Sequence, residues 1–504
     1  MVKLKAKIID LRVGKRMVLL HEEDAKELGA LAHDWVKIIF GAQATSAFVD
    51  TTKSYLKQGE IGILRDVSTE IQIEEGAEVL VSPAKPPESI RFIHKKMDGS
   101  SLTKAEYTAI MQDVVDHKLS DVQIAAFLLA EEFHGLTMDE TEYLTSAMVD
   151  TGTVIEFNSP CFDKHSIGGV PGNKVSLLIV PIVAATNLLI PKTSSRAITS
   201  ASGTADTMEV LANVEFDAAE LKEIALKTSG AIAWGGKLGV APADDLLIRV
   251  EHPLNIDPFG QMLASILSKK LSVGADHVVI DIPVGTETKV STLEEARKVA
   301  QSFVELSERF HMNLQCGITY GGQPVGHMVG PALEAREALA ALEGAGPTSL
   351  IEKSTALAGI LLEIGFAAQS GQGKDLAKEI IASGKALKKM REIIDAQGGN
   401  PKIRPSDIPV GTHHVAINAP CDGYVTNVSN AAITAIARAS GAPREKGAGV
   451  ALRWKRGCKV KKNDVLLEIY AERSSKLNEA HNLALTMNPV TVEGMLLHKV
   501  PEFA

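Results

Sequence analysis

Cysteine is scarce in this sequence, and the few cysteines lie far apart. The 504 residues contain four, at Cys161, Cys316, Cys421 and Cys458, and no two of them form a CxxC pair. A disulfide framework needs a denser set, and a zinc knuckle needs closely spaced pairs. The spacing therefore argues against both.

The sequence also lacks a basic excess and a membrane-length apolar run. Its formal net charge of −9 argues against general nucleic-acid binding. The most apolar stretch, residues 175–190, is broken by Pro181 and Asn187 and is short of a membrane span. The first residues, Met-Val-Lys-Leu-Lys, lack the apolar core of a signal peptide. We therefore expect a cytoplasmic protein with neither nucleic acid nor membrane as a partner.

What is present predicts a multidomain α/β protein, because the chain is too long for one ordinary core. Alternating strand and helix patterns indicate an α/β lobe with a mainly parallel sheet. The strand-turn-strand pattern of the last unit resembles that of the hammerhead-shaped biotinyl and lipoyl carrier domains, but the lysine that is modified in those carriers is absent. We therefore expect an α+β domain that aids oligomerisation. The expected units are a small β-barrel at 1–84, a helical lobe at 88–152 that 243–272 rejoins, the α/β lobe at 153–242 and 273–405, and the hammerhead-like domain at 406–504.

Local signals support the helical and strand assignments. Residues 21–29 predict a helix closed by a glycine C-cap, and residues 278–282 predict a buried strand. Prolines at 83, 86 and 87 indicate a stiff linker. Three capping boxes announce helices: Thr103 with Glu106, Ser120 with Gln123, and Thr137 with Glu140.

Two glycine- and hydroxyl-rich turns between Asp163 and Glu209 are the main functional signal. Each follows a β-like segment and precedes a helical pattern, the second of which begins at Asp206. Backbone N–H groups at a helix start favour anions, and glycine lets the chain approach a ligand closely. Lys164, Lys174 and Arg196 could supply full charges. Together the two turns predict a phosphate site.

These turns resemble those of the thymidine and pyrimidine-nucleoside phosphorylase family, and specifically of its archaeal branch. The resemblance covers roughly residues 88–490, and the barrel before them looks like the extra domain of that branch. It implies the nucleoside phosphorylase and phosphoribosyltransferase type of fold. The matching text is Lys164-His165-Ser166, Gly168-Gly169, Ser194-Ser195-Arg196, Gly203-Thr204-Ala205-Asp206 with Glu209, Ala241-Pro242-Ala243-Asp244, and 264–270.

The resemblance implies phosphorolysis, in which inorganic phosphate attacks the anomeric carbon of a nucleoside or nucleotide and the base leaves. Such chemistry needs a phosphate pocket and a proton for the leaving base. No metal or cofactor is implied; the expected partners are small-molecule substrates and further copies of the chain, as a homodimer or larger homo-oligomer. The implied phosphate-binding residues are Lys164, Ser166, Ser176, Ser194 and Thr204.

Departures from the thymidine enzymes favour a nucleoside 5′-monophosphate such as AMP, with CMP and UMP as further candidates. Val250 stands where pyrimidine enzymes carry a base-binding arginine. Lys289 could pair with a 5′-phosphate, although on the residues alone it reads as a solvated loop lysine. The implied nucleotide-binding residues are Gly169, Ser195, Arg196, Ala197, Ile198, Thr199, Ser200, Thr204, Ser265 and Lys289.

Asp257 is the implied proton donor to the leaving base, and His165 is the alternative acid. Ile256, Pro258 and Phe259 could desolvate the Asp257 carboxyl and keep it protonated. On the residues alone, Asp before proline also reads as a helix N-cap, a role that needs the ionised form. Both roles stay open at this point.

Three other functions are compatible with parts of the sequence. A thymidine-type phosphorylase would share most motifs. An anthranilate-phosphoribosyltransferase-like enzyme would share the Ser202–Asp206 loop, with Asp244-Asp245 as candidate Mg²⁺ ligands. A non-catalytic scaffold would bind nucleotides without releasing base.

Overall fold

The computed structural model describes residues 1–197 and 200–495, so the predictions for Ile198 and Thr199 lie outside the described residues. The chain divides into two compact units. One consists of residues 1–152 with 241–265, and the other of residues 153–240 with the described residues from 266 onward.

The strands and helices of the described residues are numbered in chain order. The strands are β1 (Val2–Ile9), β2 (Met17–His21), β3 (Trp35–Phe40), β4 (Gln43–Thr52), β5 (Glu60–Leu64), β6 (Glu78–Pro83), β7 (Phe162–Ser166), β8 (Ile190–Ser194), β9 (Gly230–Trp234), β10 (His277–Val284), β11 (Asn313–Tyr320), β12 (Met328–Val329), β13 (His413–Asn418), β14 (Gly423–Val428), β15 (Gly449–Leu452), β16 (Lys459–Val460), β17 (Val465–Ala471) and β18 (Val490–Glu493). The helices are α1 (Glu22–Leu28), α2 (Arg65–Glu70), α3 (Ser89–Met97), α4 (Lys104–Val115), α5 (Asp121–His134), α6 (Met138–Asp150), α7 (Ser176–Ala184), α8 (Thr204–Met208), α9 (Ala218–Thr228), α10 (Gly235–Leu238), α11 (Pro242–Leu254), α12 (Phe259–Ser272), α13 (Leu293–Arg309), α14 (Pro331–Leu342), α15 (Thr348–Ile364), α16 (Gly373–Ala382), α17 (Lys385–Ala396), α18 (Asn430–Ala439) and α19 (Ser474–Met487), with a 3₁₀ turn at Pro405–Asp407.

The N-terminal strands close into a barrel in the order β1-β5-β2-β4-β3-β6, which confirms the predicted barrel. Alternate residues point inward, and their apolar side chains, including Val18, Leu20, Val36 and Ile38, form its core. The predicted helix is α1, and Gly29 caps it in the left-handed conformation with φ 68°. The apolar pattern missed β2, β4 and α2.

Helices α3 to α6 pack with α11 in the first unit. All three predicted capping boxes are present, so α4, α5 and α6 begin after Thr103, Ser120 and Thr137. Their buried faces share one core with Ala243, Leu247 and other residues of the 241–265 segment. Sequence-distant segments therefore build one helical lobe.

The second unit contains the α/β lobe. Strand β10 lies between β7 and β11, and β8 pairs with β9, all in parallel, so the mainly parallel sheet is confirmed. All nine residues of α7 are buried, and seven of them lie in the main apolar core with side chains of α15 and α17. Parallel strands end at the same edge of a sheet, which gathers the turns that follow β7 and β10.

The C-terminal region, residues 413–493, forms two small antiparallel sheets with α18 and α19 packed on one apolar core. One sheet also takes in β12, which precedes α14 in the chain. None of the helices in the described part of the chain combines the length and apolarity that crossing a membrane requires.

Candidate active site

The carboxyl end of β7 brings Lys164, His165 and Ser166 beside β10. The parallel register pairs Ser166, the last residue of β7, with Asp281, an acid inside the apolar strand β10. Ser166 Oγ donates to Asp281 Oδ2 at 2.9 Å, and Asn173 Nδ2 donates to Ser166 Oγ at 3.1 Å. This geometry fixes the position of a predicted phosphate-binding hydroxyl.

Asp281 contacts several residues of the candidate site, and the sequence reasoning did not single it out. Its fully buried carboxylate lies 3.0 Å from Lys353 Nζ and 3.9 Å from Lys164 Nζ, and Thr319 Oγ1 donates to it at 2.6 Å. Burial alone would raise the pKa of Asp281, but Lys353 and Lys164 hold that pKa below its ordinary value. The available signal was an acid inside an apolar strand.

A second buried carboxylate, Asp163, holds two more lysines in the same region. Lys270 Nζ donates to Asp163 Oδ2, and Lys192 Nζ lies 3.6 Å from Asp163 Oδ1. Burial lowers the pKa of Lys192 to about 7 and that of Lys164 to about 8, against the opposing pull of the aspartates. An anion bound beside Lys164, Lys192 and Lys270 would stabilise their charged forms, because its negative charge would offset the free-energy cost of burying the ammonium groups.

His165 is held in its neutral form by its surroundings. Desolvation lowers the pKa of His165 well below its ordinary value, and the nearby charges of Lys270, Lys192 and Lys164 lower it further. A neutral imidazole can accept a hydrogen bond or orient a neighbour, but it is a poor proton donor. This environment disfavours the alternative in which His165 is the acid.

Lys174 does not supply charge to the first turn, contrary to the prediction. Its ammonium is buried and donates to three carbonyls, those of Gly172, Val325 and Met328, at 2.9, 3.0 and 2.9 Å. It also lies 2.7 Å from Glu337 Oε2. Lys174 therefore stabilises the turn through buried hydrogen bonds and an ion pair. Ser176, a predicted phosphate-binding residue, begins α7 and is 2% exposed.

The second turn folds tightly after β8. The backbone N–H groups of Ala197 and Gly203 both donate to Asp206 Oδ2, at 2.7 and 3.0 Å. A Cβ on Gly203 would lie 2.6 Å from the Ser195 carbonyl oxygen, so only glycine fits there. Helix α8 begins at Thr204, two residues earlier than predicted. Ser194, Ser195, Ser200 and Thr204 are at least partly accessible.

The guanidinium of Arg196 forms ion pairs with carboxylates of the protein. Its guanidinium donates to both oxygens of Glu209 at 2.7 and 2.6 Å and to Glu215 at 2.8 Å. Its centre lies 4.9 Å from the Trp234 ring centroid. The bond from Arg196 lowers the pKa of Glu209 to about 2. The side chain thus anchors the turn, and a direct role of Arg196 in substrate binding stays a prediction.

Gly169 and Lys289, both predicted to bind the nucleotide, lie against each other. Gly169 has φ 86°, and a Cβ there would lie 3.0 Å from the backbone nitrogen of Lys289. Lys289 is exposed, and it belongs to the turn that follows β10. The first turn and the Lys289 turn therefore form one continuous surface.

Asp257 and Ser265 belong to the first unit. Asp257 lies between α11 and α12 and is exposed, whereas Ser265 is half-buried on α12. The neighbouring Phe259 is 48% exposed, so this unit does not provide the desolvation of Asp257 that was expected from its neighbours. The roles of both residues stay predictions.

Comparison with protein families supports the architecture region by region. A glycosyl transferase family helical bundle domain matches residues 90–152, and a glycosyl transferase family α/β domain matches residues 158–245. A pyrimidine nucleoside phosphorylase C-terminal domain matches residues 424–489. With the parallel sheet and the buried lysines at its edge, these matches define an enzyme of the glycosyltransferase class.

Curated relatives narrow that class. The AMP phosphorylases of Thermococcus kodakarensis and Methanosarcina mazei are 53% and 52% identical to the chain, and each alignment covers 99% of both sequences. AMP phosphorylase 1 of Archaeoglobus fulgidus is 50% identical, with 98% of each sequence covered. The chain belongs to the AMP phosphorylase family.

A solved structure with the same type of fold is anthranilate phosphoribosyltransferase (TrpD) from Thermus thermophilus. It covers 61% of this chain and 99% of its own, with a TM-score of 0.51 and 20% sequence identity. At that identity the likeness concerns the fold alone.

Proposed function

We propose that the protein catalyses phosphorolysis of AMP, giving adenine and ribose 1,5-bisphosphate. A phosphate oxygen bonds to C1′, and the bond from C1′ to N9 breaks with its electron pair going to adenine, which takes up one proton. The observation that carries the proposal is the identity of about half of all residues, over the full length, with AMP phosphorylases. CMP and UMP are further candidate substrates.

The phosphate nucleophile is assigned to the turn after β7 and to the hydroxyls that face it. Support comes from four buried lysines, Lys164, Lys192, Lys270 and Lys353. Their ammonium groups outnumber the two carboxylates that pair with them, Asp163 and Asp281. A dianion placed there would regain the charge balance that burial makes expensive. The proposed ligands are Lys164, Ser166, Ser176, Ser194 and Thr204.

The nucleotide is assigned to the surface that Gly169 and Lys289 share and to the second turn, and Ser265 is a further proposed nucleotide-binding residue. The close approach of Gly169 to the Lys289 backbone supports a common 5′-phosphate site for these two residues. A lysine ammonium with a flexible stem suits a single phosphate group as a point charge.

Asp257 is the proposed proton donor to the base. The lowered pKa of His165 supports Asp257 over His165 as the acid. Asp257 is exposed, so a bound base can reach its carboxyl. His165 then serves to orient ribose or base.

The test of the proposed reaction measures base release from AMP, CMP, UMP, adenosine and thymidine with inorganic phosphate. We expect rapid release from AMP and much slower release from adenosine and thymidine. Release from thymidine without release from AMP would instead favour a pyrimidine nucleoside phosphorylase. Binding of AMP with no base released from any substrate would favour the scaffold alternative.

Replacing Asp257 by asparagine tests the proton donor. Removal of a general acid slows the chemical step by about 100- to 10,000-fold, whereas AMP binding should stay close to that of the unmodified protein. The measurements are single-turnover adenine release and equilibrium binding of AMP. An unchanged rate would remove Asp257 from this role.

We also propose that the protein acts in the cytoplasm as a homo-oligomer, in which the C-terminal region contributes to the interface. Light scattering coupled to size-exclusion chromatography measures the mass of the assembly. A 53.7 kDa particle at all concentrations would contradict the oligomer.

A further inference from the structure

Glu287 connects the turn that carries Lys289 to the C-terminal region. Ser429 Oγ donates to Glu287 Oε1 and Oε2 at 3.0 and 2.9 Å, and the backbone N–H of Ala431 donates to Oε2 at 2.9 Å. Ser429 is the N-cap of α18 and also accepts a hydrogen bond from the Ala432 N–H at 3.1 Å. A carboxylate is favourable at this place because the first N–H groups of a helix have no partner within the helix.

The next residue of the same helix turn binds the adjoining strand end. Asn430 is 2% exposed, and its Nδ2 donates to the Gly321 carbonyl oxygen at 2.8 Å. Gly321 follows β11, and its N–H donates to the Val284 carbonyl oxygen at the end of β10 at 2.8 Å. The start of α18 therefore holds the ends of two neighbouring strands at once.

The turn itself is built so that movement of Glu287 would reach Lys289. Thr288 Oγ1 donates to the carbonyl oxygens of Gly285 and Val290, at 2.9 and 2.6 Å, which ties the two ends of the turn together. Glu287 has φ 62°, a conformation that a residue with a side chain adopts only at a cost. The hydrogen bonds that Glu287 accepts from the Ser429 hydroxyl and the Ala431 N–H offset that cost and fix the backbone two residues before Lys289.

The opposite end of α18 contacts the second turn of the candidate site. Arg438 Nη1 donates to the Ser200 carbonyl oxygen at 3.2 Å. Ten helical residues span about 15 Å, so one rigid element touches both the Lys289 turn and the turn that contains Ser200. Both turns carry residues assigned above to the nucleotide.

We propose that Glu287 is a positioning residue for the nucleotide: through Ser429 and Ala431, it uses the C-terminal region to hold Lys289 in place for the 5′-phosphate. The inference rests on the proposed function and extends it, because it gives the C-terminal region a part in substrate recognition besides assembly. Glu287 itself touches no substrate, and its effect passes through the backbone of residues 287–289.

The test compares two Michaelis constants in Glu287→Ala, one for AMP at saturating phosphate and one for phosphate at saturating AMP. We expect the KM for AMP to rise about tenfold, since a displaced binding group loses alignment, and the KM for phosphate to stay within about twofold. Glu287→Gln should behave nearly as the unmodified protein because its amide oxygen still accepts both hydrogen bonds. Glu294→Ala, which removes an exposed glutamate of α13 paired with Lys298 one helical turn away, should change neither constant.

A double-mutant comparison separates positioning from general damage. In a Lys289→Ala background, Glu287→Ala should add little to the loss, because both changes remove one function. Full additivity, an equal rise of both Michaelis constants, or unchanged constants would overturn the inference. If Glu287→Ala does not fold, Ser429→Ala, which keeps the Ala431 bond, should show a smaller rise in the KM for AMP alone. If the unmodified protein releases no adenine, the proposed function is wrong. If it is active and Glu287→Ala leaves both Michaelis constants unchanged, only this inference is wrong.

Discussion

The two polar turns of the α/β lobe contain similar residues but use their cations in opposite ways. Beside the turn after β7, Lys164, Lys192, Lys270 and Lys353 are buried. Their four ammonium groups outnumber the two carboxylates that pair with them, Asp163 and Asp281. In the turn after β8, Arg196 lies among three carboxylates, those of Asp206, Glu209 and Glu215. The first turn retains positive charge for an anion, whereas the second has its charge balanced within the protein.

This difference shows that the number of cations in a glycine-rich turn does not measure its capacity to bind phosphate. The relevant quantity is the charge that remains after the internal partners are counted, weighted by burial. The second turn offers hydroxyls and backbone groups instead. Three experiments test the contrast, and they follow in order of decreasing expected effect.

Replacement of Lys164 by methionine should have the largest effect. It removes a buried ammonium while keeping the apolar stem, so phosphate loses a charged partner in a site screened from water. We expect kcat/KM for phosphate to fall about 100- to 1,000-fold, the range for loss of one preorganised electrostatic group. Adenine release at varied phosphate measures it. Retention of activity within about tenfold would contradict the contrast between the turns.

The pH dependence should reveal the lowered lysine pKa values of the first turn. The ammonium forms bind phosphate, and the pKa of Lys192 is lowered to about 7 and that of Lys164 to about 8. As the pH rises through this window the free enzyme loses these protons, so kcat/KM for phosphate should fall. The fall from pH 8 to 9 should be about fivefold where the required proton is that of Lys164. Lys164→Arg, whose guanidinium stays charged, should move the fall to higher pH. A flat profile to pH 9 would contradict this account.

Replacement of Arg196 by alanine should have the smallest effect on phosphate. The change removes one cation from beside Asp206, Glu209 and Glu215 but leaves Lys446 paired with Asp206 and Glu209. We expect a loss of about 1 kcal/mol in unfolding free energy because the group is partly exposed. The change in kcat/KM for phosphate should stay below about tenfold. Glu209, with its pKa lowered to about 2 from 4.5, stabilises the fold above pH 4.5, and this contribution is lost as the pH falls toward 2. Arg196→Ala should reduce that acid-dependent part, while Lys446 retains a share of it, as chemical denaturation at pH 3 and 6 would measure.

Much of the fold could be predicted because the local signals were strong. Capping boxes and glycine C-caps mark helix ends through hydrogen bonds within three or four residues, so α1, α4, α5 and α6 were located correctly. Strands β2 and β4 were missed because their register depends on partners elsewhere in the barrel. Strand β2 pairs with both β4 and β5, and no local pattern encodes that closure.

The candidate site was predicted less completely, for a physical reason of the same kind. The motif located Lys164 and Ser166, but Asp281 lies more than a hundred residues away and reaches them only through the parallel register of β7 and β10. Lys174 looked like a free cation in the sequence, and only its contacts with Val325, Met328 and Glu337 show that it is enclosed. Glu287 gave no signal, because its partners belong to the C-terminal region.

The discontinuous first unit has a consequence for the order in which the protein can form during synthesis. The barrel closes once β6 has been made, whereas the helical lobe lacks the 241–265 segment that completes its core until residues 153–240 have also been translated. At a synthesis rate of roughly 5–20 residues per second, the apolar faces of α4 and α5 stay without their partner α11 for on the order of ten seconds. Nascent chains of this protein therefore spend that interval with an unfinished helical surface, the stage at which a chaperone would have most to cover.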